Sequence, residues 1–175
     1  MKVHDLAQAR LMPPPKVGDL YLVRVPGVAR GEPARAALRK ALRELLDAWR
    51  LESVQITENP LGPTLTDSAL KVSFSYDGED GWMALGAFAQ IGCDAVAVAG
   101  FPEMLDVARR YLGPEVTARI AASRVPAQTF AHAWAKHEAT LKAYGLPLAE
   151  GAVAATAPTC HYHRQSHAVV AVVAE

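Results

Sequence analysis

The sequence predicts an α+β fold, and three observations carry the prediction. Two long stretches have helical periodicity, the segments around them alternate or run apolar at strand length, and both patterns interleave in each half of the chain. With 175 residues, 51% of them hydrophobic, the chain can bury a core as one compact domain or as two small, closely packed lobes.

The elements follow in order. Residues 1–16 end in Pro13-Pro14-Pro15 and are expected to form an arm or extended lead-in. Asp19 to Val25 alternates as a strand and Pro26-Gly27 turns the chain. Pro33 opens a helix over Ala34 to Trp49, whose inward stripe is Ala34, Ala37, Leu38, Ala41, Leu42, Leu45, Leu46 and Trp49. Ser53 to Thr57 is a short strand, and Asn59 to Pro63 a tight turn. Ala69 to Tyr76 and Trp82 to Phe88 form two strands about the polar tip Asp77 to Gly81. Ile91 to Ala99 is a strongly apolar strand. Asp106 to Arg119 is amphipathic helix interrupted at Gly113-Pro114, and Arg124 to Gln128 is a connection. A helix then runs from Thr129, a candidate N-cap, to Gly145, with Phe130, Ala133, Trp134, His137 and Leu141 as its expected buried stripe. Gly151 to Ala155 and Ala168 to Ala174 read as strands around the turn-rich Pro158 to His167.

Lys plus Arg and Asp plus Glu number 18 each, so no global field favours nucleic acid or an anionic membrane. An anion site has to be local. No hydrophobic signal core opens the chain and no apolar run reaches membrane length, so a cytoplasmic location is expected. Cys93 and Cys160 make neither a disulfide framework nor a C-x-x-C pair, and no G-x-S-x-G elbow appears. Cys160, His161, His163 and His167 carry zinc-ligand chemistry, but their spacing fits no standard closed site, and a polar hairpin is the expected reading.

Several residues carry chemistry that the fold alone does not explain. Asp94 sits between Cys93 and Ala95 in an apolar strand, where a lone buried carboxylate is costly; it faces water, pairs with donors or binds a cation. Glu138 and Lys142, four apart on a helix, are either an exposed pair or a projection from the rim of the buried face. Arg30, Arg35 and Arg39 are either a solvated face or an anion site near a helix start. Ser73 and Ser75 are strand hydroxyls or ligand contacts.

Five segments together point further. Phe130, Trp134, Glu138, Ala139 and Lys142 match a W-x-x-K-E-A-x-x-K helix with a preceding Phe, with His137 at the Lys position before the Glu. Upstream and in matching order lie Asn59 to Leu65, Val72 to Ser75, Ile91 to Asp94 and Ala108 to Glu115. The chain over residues 30–145 thereby resembles the 4′-phosphopantetheinyl transferase superfamily, in its compact two-lobe, holo-acyl-carrier-protein-synthase-like form.

The resemblance implies two similar lobes, residues 17–91 and 92–175, each a small antiparallel sheet packed on a long helix. It implies magnesium-dependent transfer of 4′-phosphopantetheine from coenzyme A to a serine of an apo acyl or peptidyl carrier protein, by a monomer. Asp94 and Glu138 would hold Mg²⁺, Glu138 would accept the serine proton, and Lys142 would stabilise the leaving phosphate. Arg30, Arg35, Arg39, Ser73, Ser75, Tyr76, His137 and Lys142 would bind coenzyme A, and Arg109, Arg110, Arg119 or Arg124 would meet an acidic carrier protein. This chain departs from the family at Tyr76, where His is usual, at Val96, where an acid is usual, at His137, and in lacking a Lys beside Gly62. Those departures define the alternative: a family member that binds coenzyme A or a carrier protein without transfer.

Overall fold

A computed structural model describes residues 1–28, 32–59, 62–78, 80–151, 159–165 and 167–175. Among them the chain is mixed α and β, with three sheets and five helices.

The first sheet has the order β1 (Lys2–Asp5), β2 (Leu20–Pro26), β6 (Asp80–Gly86), β5 (Lys71–Asp77). β1 runs parallel to β2, and the other neighbours are antiparallel. The N-terminal residues are therefore not an arm: after β1, Asp5 caps α1 (Leu6–Leu11) by accepting from the Gln8 N–H at 2.8 Å. Ala9 of α1 is fully buried against the first core. Only the proline-rich stretch behind it has the extended character expected of the whole.

α2 (Glu32–Ala48) covers one face of this sheet. Its stripe of Ala34, Leu38, Ala41, Leu42, Leu45 and Leu46 is buried with Val23, Val25, Val72, Met83 and Leu85, as its period requires. β3 (Gln55–Asn59) and β4 (Gly62–Thr66) form a separate, largely exposed hairpin beside β5.

The second sheet has the order β7 (Ile91–Ala97), β9 (Ala168–Ala174), β8 (Cys160–Arg164), all antiparallel. The expected strand over 151–155 lies largely outside the described residues. The stretch read as turn contains β8, because Cys160 to Arg164 pair in register with β9. α3 (Met104–Tyr111), α4 (Gly113–Ala121) and α5 (Pro126–Ala143) lie between β7 and β8 in the chain. α5 begins earlier than expected: Pro126 needs no N–H donor in a first turn, so the supposed connection is helix, and Thr129 bonds back to the Val125 carbonyl at 3.1 Å.

Two cores follow from the period-2 alternation of the sheets. Leu20, Leu22, Trp82 and Ala84 meet Ile91, Cys93, Ala95, Val170 and Val172, so the two sheets pack face to face. On the far face of the second sheet, Val169, Ala171 and Val173 meet Ala131, Ala135, Ala139 and Ala143. The inward stripe of α5 is thus alanine at every fourth residue, not Phe130, Ala133, Trp134, His137 and Leu141 as a set. Phe130 and Leu141 are buried, Ala133, Trp134 and His137 only partly, and Phe130 with Trp134 packs onto α3 and α4 instead.

Candidate active site

Gly92 decides how close α5 comes to β7. A Cβ there would lie 1.9 Å from the Ala139 carbonyl oxygen and 2.6 Å from the Ala143 nitrogen. Only hydrogen fits, and the alanines opposite are equally short, so helix backbone lies directly on strand backbone. Gly92, Asp94 and Val96 share the β7 face toward α5 by alternation, while Cys93 and Ala95 face the first sheet.

Asp94 is therefore aimed at the last turns of α5. Lys142 Nζ donates to Asp94 Oδ1 at 2.6 Å and to the Cys93 carbonyl at 3.1 Å. The aspartate side chain is only 7% exposed and the lysine 30%. Ser75 Oγ also donates to Asp94 Oδ1, at 3.1 Å, while accepting from the Ala95 N–H at 3.0 Å. Ser73 Oγ accepts from the Cys93 N–H at 2.9 Å. β5 and β7 are both sheet edges, and these hydroxyls serve two N–H groups that a neighbouring strand would otherwise have to satisfy.

One turn before Lys142, Glu138 accepts from the Trp134 indole N–H at 2.8 Å. The indole is itself fixed, stacked on Phe130 and set edge-on to Tyr111. Burial, then the nearby Asp94 charge, push the Glu138 carboxyl above the usual range, against the opposing pull of Lys142 and Trp134. Burial likewise raises Asp94, partly offset by Lys142, Ser75 and the Ala95 amide. Burial opposes the charge on Lys142, but Asp94, Cys93 and Glu138 outweigh it and raise its pKa, so the ammonium persists at neutral pH. The Cys93 thiol, fully buried, is pushed up to about 12 and is no nucleophile.

Ser73, Ser75, Asp94, Trp134, Glu138 and Lys142 line a cleft of about 860 Å³ between the β5 and β7 edges, α2 and the end of α5. Of the residues singled out in the sequence, Arg35, Arg39, Ser73, Ser75, Tyr76, Asp94, Glu138 and Lys142 line it, and so does Val96. His137 does not: burial lowers its pKa, its ring lies 6.2 Å from that of Trp134, and its buried Nε2 has no hydrogen-bond partner among the described residues. Arg30 lies outside the described residues. Arg109 and Arg110 pair with Asp106 and Glu150 at the surface.

The sequence reading passed over Glu58, Lys71, Trp134 and Tyr144 as site residues. Lys71 and Tyr144 line the cleft, and Glu58 binds Arg39 at 2.6 Å across its mouth. Only Trp134 left a legible signal, since positions four apart on a helix are neighbours.

Among the described residues no group of three or more His, Cys, Asp and Glu side chains is placed to hold a metal. The donor chemistry of Asp94 and Glu138 nonetheless suits a hard cation: both carboxylates line one cleft, the Asp94 charge reaches Glu138, and Mg²⁺ takes one or two protein carboxylates with water and phosphate completing its shell. No described helix is long and apolar enough to cross a membrane. Compared with known proteins, the chain matches no family model and has no significant match among curated proteins.

Proposed function

We propose that the protein transfers 4′-phosphopantetheine from coenzyme A to a serine hydroxyl of an apo acyl or peptidyl carrier protein, in a Mg²⁺-dependent reaction in the cytoplasm. One observation carries the reading: Asp94, Glu138 and Lys142, from a strand and a helix distant in sequence, gather in one cleft with Arg35, Arg39, Ser75 and Tyr76. The two-lobe architecture belongs to the same reading, as residues 17–91 and 92–175, each with a main sheet and one long covering helix.

In this scheme the serine oxygen attacks the phosphorus bearing pantetheine, a P–O bond to serine forms, and the P–O bond to 3′,5′-adenosine bisphosphate breaks. Glu138 takes the serine proton; its raised pKa brings it nearer the neutral range where a general base works best. Lys142, kept protonated, neutralises charge gathering on the leaving oxygen. Tyr76 donates its phenol hydroxyl to a phosphate oxygen, and Arg35 with Arg39 attracts the phosphates into the mouth. Asp94 and Glu138 would hold Mg²⁺, which when bound neutralises pyrophosphate charge. His137 has no part, since it lies off the cleft.

The test is intact-mass analysis after incubation with coenzyme A, Mg²⁺ and a panel of apo carrier proteins. Addition of the phosphopantetheinyl group, lost in Asp94→Asn, is the expected result. Mg²⁺-dependent thermal stabilisation by coenzyme A without that addition would leave only a binding protein, and neither response would refute both readings.

A further inference from the structure

Besides Asp94, Glu138 and Lys142, the charged side chains lining the cleft are three cations and the acids Glu58 and Asp77. Arg35 and Arg39 stand on α2 and Lys71 at the start of β5, all lining the same space. Arg35 and Lys71 have no ion pair among the described residues. Arg39 is different: its Nε donates to Glu58 Oε1 at 2.6 Å. Glu58 lies on β3, in the exposed hairpin, and its side chain remains 42% accessible, so nothing in the core obliges a carboxylate to stand there. An unneeded acid on the arginine of a basic mouth opposes the entry of any anion.

We propose that Glu58 sets the anion threshold of the site: an internal carboxylate occupying the Arg39 guanidinium, which every entering anion displaces at the same cost, so that a dianionic phosphate monoester, drawn also by Arg35 and Lys71, overcomes it and a simple carboxylate does not. The chemistry supports a threshold of this kind. A guanidinium binds carboxylate and phosphate in the same forked manner, so the two compete for one set of donors. A singly charged carboxylate ligand gains little by replacing Glu58, whereas a phosphate dianion gains the additional attraction of Arg35 and Lys71. Displacement also removes the Arg39–Glu58 bond that ties the β3–β4 hairpin to α2 across the mouth, leaving Ile56 and Leu65 as its hold on the core. This inference rests on reading the cleft as a phosphate-ester site, and it says which anions that site refuses.

The test compares the natural protein with Glu58→Gln by calorimetric titration of inorganic phosphate, 3′,5′-adenosine bisphosphate and acetate at fixed ionic strength. Glu58→Gln is expected to bind acetate and phosphate more tightly, by up to about fivefold as the loss of an exposed ion pair allows, with a gain for phosphate at least equal to that for acetate because each is spared the same displacement. Arg39→Gln should weaken phosphate binding in both backgrounds. Glu44→Gln, which removes an acid paired with Arg10 on the far side of α2's exposed face, is expected to change nothing. Unchanged affinities in Glu58→Gln, or a gain for acetate alone, would overturn the inference. Failure of carrier-protein modification would remove the transferase reading alone, because inorganic phosphate binding does not depend on transfer.

Discussion

Glu138 holds its proton more tightly than an ordinary glutamate, through burial first and the charge of Asp94 second. A folded-state pKa raised above the unfolded one gives stability that is fully present below the unfolded value and lost as pH rises through the folded value. Glu138→Gln, which cannot ionise, should therefore match the natural protein in acid and exceed it at neutral pH, while losing transfer. Urea titrations at both pH values check this, and an identical difference at the two would show that ionisation is not the source. Asp94 and Lys142 stood out in the sequence, one as a charge in an apolar strand and the other on a patterned helix. Ser73 and Ser75 stood out as well, but their partners did not, because whether a strand hydroxyl meets a strand edge or water depends on the packing of two sheets. Glu58 was equally illegible: an acid near a turn gives no sign that a hairpin will carry it to Arg39.

At the level of elements, the closeness of α5 and β7 determines where the site stands. Gly92→Ala would drive a methyl group into the Ala139 carbonyl, backbone against backbone, with no flexible side chain to give way. We expect a loss of at least about 3 kcal/mol, the upper part of the usual overpacking range, measured by chemical denaturation. Wild-type stability would mean that α5 does not seat on Gly92. Element order was legible because strong period-2 and period-3.6 patterns survive in the chain. The buried face of α5 was not, since alanines at 131, 135, 139 and 143 weigh little beside Trp134 and His137 in a hydrophobic stripe. A glycine opposite makes the small residues the ones that fit, and the large rings turn to α3 and α4. The N-terminal strand escaped notice because four residues ahead of a proline run form β structure only by adding to β2.

For the molecule as a whole, the face-to-face packing of two sheets means that each half completes the other. Leu22, Trp82 and Ala84 are buried by Cys93, Val170 and Val172, all essentially inaccessible to solvent. Fragments 1–88 and 89–175, produced separately, should each expose an apolar sheet face and lack a cooperative unfolding transition, whereas mixing them should restore one. Circular dichroism during thermal melting tests this; a sharp transition in either fragment alone would show that a half is self-sufficient. The joint between the halves also works as a vernier. Alternate serines on β5 meet alternate amides on β7, so slippage of β5 on β6 by a single residue would set Phe74 where a hydroxyl belongs, and the same slippage of β7 on β9 would swing Asp94 to the opposite side of its sheet. Correct alignment of two strand edges is thereby the same event as aiming the carboxylate at its lysine, and a misaligned molecule is chemically blank even if it is compact.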